Sequence, residues 1–153
     1  MAQKEKNIYR ESREAAELTR EAAAEKLIFI SEDRLERIEN ERSAPHPDEV
    51  LAMAEQYKNP ALCNYFCANE CPLGKDRVQE IELKDLSQIT LEMLATINAL
   101  SKEKERLVEI TVDGNISSEE MQDFMNIREN LEKMSQAIDS LKLWMDHAEA
   151  QAE

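Results

Sequence analysis

The sequence predicts an all-α protein: five short helices followed by a long antiparallel helical hairpin. Three observations carry this expectation. All four prolines, Pro45, Pro47, Pro60 and Pro72, fall between segments of helical periodicity, where a ring lacking the N–H donor opens or ends a helix rather than breaking it. Glycine is confined to Gly74 and Gly114. Beyond residue 84 apolar residues recur every seven, as Leu86, Met93, Leu100 and Leu107, then as Phe124, Leu131, Ile138 and Met145. That is the period of helices packed along their length.

The 153 residues fit one domain or two small ones, divided here as 1–72, a linker 73–83 and a hairpin 84–153. A hydrophobic content of 42% supports a core, although only 5% is aromatic. No run of about 18 apolar residues could span a bilayer. The start is charged from Lys4 and lacks the apolar stretch of a secretory signal, so the expected location is cytoplasmic, with no membrane partner. Net charge is −14; residues 1–60 hold 10 Lys or Arg against 14 Asp or Glu, and residues 61–153 hold 9 against 19. Such a balance weakens long-range attraction to nucleic acid, but a local basic face survives, because salt screens charges beyond about 8–10 Å.

The first helix is expected over 6–17, with Ile8, Ala15 and Ala16 inward and Tyr9 and Arg13 outward. Thr19 caps a second helix, 19–27, whose apolar face is Ala23, Ala24 and Leu27. After the apolar link Ile28–Ile30, Ser31 caps a third helix, 32–41. Its inner face is Leu35 and Ile38, and its outer face includes Asp33, Arg34, Glu36, Arg37 and Asn40. Two short helices joined tightly, with small residues at the crossing, fit a helix-turn-helix.

The string Leu18-Thr19-Arg20-Glu21, then Ala24-Glu25-Lys26-Leu27, then Ser31, Leu35, Ile38-Glu39 and Pro45 resembles the Cro/CI-type (XRE-like) helix-turn-helix regulators. The likeness covers roughly residues 6–58. It implies a lambda-repressor-like five-helix domain whose third helix lies in the DNA major groove. It also implies DNA-binding roles for Arg20, Lys26, Ser31, Arg34, Arg37, Asn40 and Arg42. Arg34 and Arg37, three apart, share a helix side, and Arg can reach guanine O6/N7 or a phosphate. The chain departs from the family in four ways. Ile28 stands where many members have glycine, and the turn is one residue longer. Arg20 stands where a phosphate-contacting Gln is common, and Asn40-Glu41 replaces a basic residue followed by glycine. Glu32 and Asp33 suit the positive end of a helix dipole but repel phosphates. The alternative for this third helix is therefore a solvated charged surface.

Pro47 opens a fourth helix, with Val50, Leu51, Met53 and Ala54 as its buried stripe and Tyr57 at its end. Asn59-Pro60 opens a fifth, which carries Cys63, Cys67 and Cys71 in a C-x3-C-x3-C stripe. Three thiols in line can hold a soft metal or respond to oxidants. A closed zinc site wants four ligands, however, and His46 and His147 are remote. The expectation is packing thiols, with no metal and no cofactor.

One long helix follows over about 84–112, closed by Asp113-Gly114. Ser117 and Glu120 then have the spacing of a capping box, and the last helix runs to about Ala148. The same turn partly matches a calcium loop, but Glu109 and Thr111 at its first and third positions are wrong or weak ligands. Leu86, Met93, Leu100 and Leu107 are expected to face Phe124, Leu131, Ile138 and Met145. That leaves Ile97, Ile127, Met134, Leu141 and Trp144 for a second copy, which would complete a four-helix bundle. The alternative is that the hairpin folds back on the first domain.

No Ser/His/Asp order, H-E-x-x-H, phosphate loop or G-x-G-x-x-G is present, so no enzyme is expected. The leading expectation is a sequence-specific transcriptional regulator that binds double-stranded operator DNA as a homodimer. The competing class is a protein-interaction module, an adaptor or antagonist of another regulator on the same scaffold.

Overall fold

The computed structural model describes residues 7–152; the expected start of the first helix at residue 6 lies outside them. Seven helices are present among the described residues: α1 Ile8–Ala15, α2 Arg20–Leu27, α3 Glu32–Glu39, α4 Pro47–Gln56, α5 Ala61–Asn69, α6 Leu86–Thr111 and α7 Met121–Ala152, with no strand. None is long and apolar enough to cross a membrane. The chain divides into two compact units. One runs to Glu82 and includes the chain from Met145 onward; the other is Leu83–Trp144.

In the first unit α1, α2 and α3 each begin on a polar side-chain cap. The Asn7 Oδ1 accepts from the Tyr9 N–H (3.0 Å), the Thr19 hydroxyl from Ala22 (3.1 Å) and the Ser31 hydroxyl from Arg34 (3.2 Å). Each satisfies a donor with no partner inside its helix. The helices end without glycine. Glu17, Glu41 and Lys58 take φ of 57°, 58° and 52°, and the following N–H turns back to a carbonyl five residues earlier (Leu18 to Arg13, Arg42 to Arg37, Asn59 to Ala54). This is the Schellman ending, built on charged residues that accept a left-handed conformation.

The core of this unit is Tyr9, Ala23, Leu27, Ile30, Leu35, Ile38, Val50, Met53, Ala54, Tyr57, Leu62 and Phe66. The expected orientation of α1 is corrected: Tyr9 and Arg13 face inward and Ala15 is exposed. Tyr9 stacks edge-on against Tyr65, centroids 6.2 Å apart, and donates to the Glu70 carboxylate at 2.9 Å. Arg13 enters the interior because a buried carboxylate meets it there. After α5 the chain folds back on that helix. The side chain of Asn64 donates to the Gln79 carbonyl and accepts from the Ile81 N–H, and Asn69 donates to Glu80. At the other end of this unit, Gln151 donates to the Lys58 carbonyl at 3.2 Å.

The second unit is an antiparallel pair. Arg106 Nε meets Asp123 Oδ2 at 2.7 Å, and Asn130 donates to the Glu103 carboxylate at 2.9 Å. Gly114 turns the chain at φ 73°. The capping box is formed: the Ser117 N–H and hydroxyl donate to Glu120, whose own N–H donates to the Ser117 hydroxyl. The expected seam is right for Met93, Leu100 and Leu107, which are half-buried between the fully buried Ile89 and Ile110. It is wrong for α7. Ile127 is 2% exposed and Met134 and Leu141 are half-buried, while Leu131 (49%) and Ile138 (38%) face out. Asn130, tied to Glu103, sets the rotation of α7 and turns the Ile127/Met134 line inward. Of the expected dimerisation set, Ile127 is buried in the hairpin rather than on its surface, Met134, Leu141 and Trp144 are half-buried, and Ile97 is exposed.

Candidate nucleic-acid interface

The segment from α2 to the start of α4 carries all seven residues implied as DNA contacts. One buried carboxylate organises it. Glu39, at the end of α3, accepts from Arg13 Nε at 2.6 Å and Nη2 at 2.9 Å, and from Arg20 Nε at 2.8 Å. The third arm of Arg13 donates to the Leu18 carbonyl at 2.6 Å. Burial alone pushes the Glu39 carboxyl up; the hydrogen bonds and charges of the two guanidiniums outweigh it and hold the acid below its ordinary range. One side chain thus joins α1, α2 and α3.

A second pair joins α3 to α4. Arg34 grips Glu49 with Nε at 2.8 Å and Nη2 at 2.7 Å, and also donates to the Ser43 hydroxyl and the Ala44 carbonyl. The Glu49 Oε2 also accepts the His46 backbone N–H at 2.7 Å at the start of α4. Desolvation raises the Glu49 carboxyl, and Arg34 with the His46 N–H brings it below the usual glutamate value.

The residues implied by the resemblance therefore separate into three groups. Arg20 and Arg34 are engaged within the fold, and the outward orientation expected of Arg34 is corrected: its guanidinium wraps onto Glu49 and the Ser43–Ala44 backbone. Ser31 caps α3, and Asn40, half-buried, lies 3.4 Å from Glu36. Arg37, 58% exposed, is paired at 2.7 Å with Asp33 one turn earlier, and Lys26 and Arg42 are exposed as well. An exposed helical pair of this kind is worth about 0.3–0.5 kcal/mol, so Arg37 leaves Asp33 at little cost. Glu32 and Asp33 stand exposed at the start of α3.

The Arg13–Glu39–Arg20 cluster was missed by sequence reasoning, yet a signal existed. Glu39 falls four residues after Leu35 and one after Ile38, on the inner stripe of α3, where an acid implies a buried cation. Also missed was the shape of the α2–α3 turn. Ile28 takes φ 59°, ψ −53° and the Phe29 N–H returns to the Leu27 carbonyl at 2.6 Å. This is a three-residue γ-turn at positive φ, strained for a β-branched residue. It leaves Ile28 90% and Phe29 61% exposed.

The three cysteines are unpaired and half-buried, and burial pushes the Cys63 thiol up. No group of three His, Cys, Asp or Glu that could hold a metal is found among the described residues.

Residues 10–60, covering almost all of α1 and the whole of α2, α3 and α4, match the family model of a helix-turn-helix domain, in agreement with the Cro/CI-type resemblance. No curated protein and no solved structure matches the chain.

Proposed function

We propose, from the premise that residues 10–60 form a helix-turn-helix domain, that this chain is a sequence-specific transcriptional regulator. It binds operator DNA as a homodimer and performs no catalysis. The observation that carries the reading is the match of that family model over a segment whose third helix is capped, braced from behind and open on one face.

On this reading α3 enters the major groove by its outer face. Arg37 exchanges Asp33 for a guanine edge or a phosphate, and Lys26 and Arg42 contact phosphates. Ser31 and Asn40 hold the ends of the helix. Arg20 and Arg34 are positioning residues; they fix α3 through Glu39 and Glu49. With an overall charge of −14, the non-specific phosphate term is weak, so discrimination rests on few contacts. A dimer presents two copies of α3 to half-sites about one DNA turn, or a multiple of one, apart.

The protein-interaction alternative keeps one specific observation in its favour. Two of the five implied arginines and lysines, Arg20 and Arg34, are bound to acids of the same domain, and Glu32 and Asp33 face outward beside Arg37. Selection of bound fragments from random duplex DNA at moderate salt decides. Enrichment of a palindromic or near-palindromic site supports the regulator; recovery of no enriched sequence supports the adaptor.

A further inference from the structure

A two-helix coil buries its a and d positions, and from Met93 to Ile110 and from Ile127 to Trp144 those positions are buried or half-buried. With Ile127 and Met134 at a and Asn130 and Ala137 at d, α7 has Leu131 and Ile138 at e, one heptad apart and both exposed. On α6, with Met93 and Leu100 at a, Ile97 also falls at e and Leu94 beside it at b; they are 44% and 52% exposed. In an antiparallel pair the e positions of both helices line the same side. The ion pair of Arg106 with Asp123 and the bond from Asn130 to Glu103 set the register so that Ile138 lies opposite the Leu94–Ile97 turn. Leu91, one turn before Leu94, extends the patch at 68% exposure.

We infer that this side is the contact between two copies of the chain, whose hairpins close as a four-helix bundle. Apolar residues at a, d and e make the three-in-seven face of a helix that belongs to a bundle, wider than the a/d seam that suffices for a pair. The unit supplies two helices of such a bundle, and a second copy supplies two more with the same period. The size fits: a 26-residue helix is about 39 Å long and two helices are about 20 Å across, so one face offers on the order of 800 Å², the share of each partner in a standard interface. Charge does not oppose it. The acids on α7 around the patch are met by bases of the same helix, Arg128 with Glu132, Lys133 with Glu129 and Lys142 with Asp139. A second acidic chain therefore meets largely compensated rims.

This inference rests on the proposed two-copy regulator and names the surface that reading leaves open. Light scattering of the full chain at micromolar concentration is expected to give a two-chain mass. Leu131→Asp and Ile138→Asp should each give a one-chain mass with unchanged helical circular dichroism, and Gln136→Asp, on the opposite side of α7, should remain dimeric. Hydrogen exchange of the unaltered protein supplies an arm free of variants: amides around 94–97 and 131–138 should lose protection on dilution while those around Leu35 and Ile38 do not. A one-chain mass for the unaltered protein, two-chain masses for both Asp variants, or exchange independent of concentration while the mass falls would each overturn it. The two readings fail separately. A dimer on this face that selects no DNA removes the regulator and keeps the interface; selected DNA bound by a monomeric chain removes the interface.

Discussion

Arg34 and Glu49 face each other in a two-pronged ion pair, Nε to Oε1 at 2.8 Å and Nη2 to Oε2 at 2.7 Å. The residue that the family likeness sends toward DNA is thereby the bolt between α3 and α4. Arg34→Ala leaves Glu49 nearly buried with its carboxylate half-satisfied. The expected cost is about 1.5–3 kcal/mol of stability, the range for hydrogen bonds to charged groups. Urea denaturation of the variant measures it. A midpoint equal to that of the unaltered protein would contradict the bracing role.

Arg37 should behave in the opposite way. Its pair with Asp33 is exposed on both sides, so Arg37→Ala is expected to change stability by less than about 0.5 kcal/mol. Specific DNA binding should weaken by about 1–3 kcal/mol. Lys26→Ala and Arg42→Ala should instead lower the salt dependence of binding, by about one unit of slope each. Titrations of a selected duplex at several salt concentrations separate these effects.

Acid should loosen the domain through Glu39 and Glu49. Both carboxyls titrate below the ordinary range when folded. The unfolded chain therefore takes up protons first, at about pH 4.3. Stability from the two pairs is complete above that value and is lost as pH falls through the lower folded values. Melting temperature followed from pH 7 to 3 should fall steeply below about pH 5. In Glu39→Gln the melting temperature should start lower and decline less; parallel curves would argue against the linkage.

The three tyrosines offer a spectroscopic check. Tyr9, Tyr57 and Tyr65 all have phenols raised by burial, Tyr9 and Tyr65 further by the charge of Glu70, and Tyr57 further by that of Glu39. Ultraviolet titration of the native protein should show little tyrosinate at pH 10, where a free tyrosine is half ionised. Tyrosinate absorbance should then appear together with loss of helical signal. Half-ionisation of even one tyrosine at pH 10 with the helices intact would mean that the aromatic cluster is open to solvent.

Gly74 is required by proximity. A Cβ there would lie 2.0 Å from the Cys67 carbonyl oxygen, a backbone atom that cannot swing aside as a side chain could. Gly74→Ala should cost about 1–3 kcal/mol and release the 75–82 segment from α5. Limited proteolysis should show faster cleavage in that segment, and an unchanged digestion pattern would count against the packing of this turn on α5.

Caps and periods were legible from the chain alone, because each depends on residues a few positions apart. Thr19, Ser31 and the Ser117–Glu120 box all bond as their spacing implies. The inward faces of α2 and α3 followed from Ala23, Leu27, Leu35 and Ile38. What escaped depends on partners distant in sequence. Arg13 is interior because of Glu39, Arg34 is turned back because of Glu49, and the rotation of α7 is fixed by Glu103 on another helix. Two apolar lines competed on α7 with equal periodicity, and a polar pair chose between them.

The shared carboxylate of Glu39 has a mechanical meaning. Because Arg13 grips both oxygens of this one acid and Arg20 shares one of them, tilting α3 by itself would stretch bonds to both α1 and α2. The three helices are thereby geared together, and the soft directions of motion are those that carry the whole trio. A signal that altered the aim of α3 would therefore have to carry α1 and α2 along with it or break the bonds to Glu39.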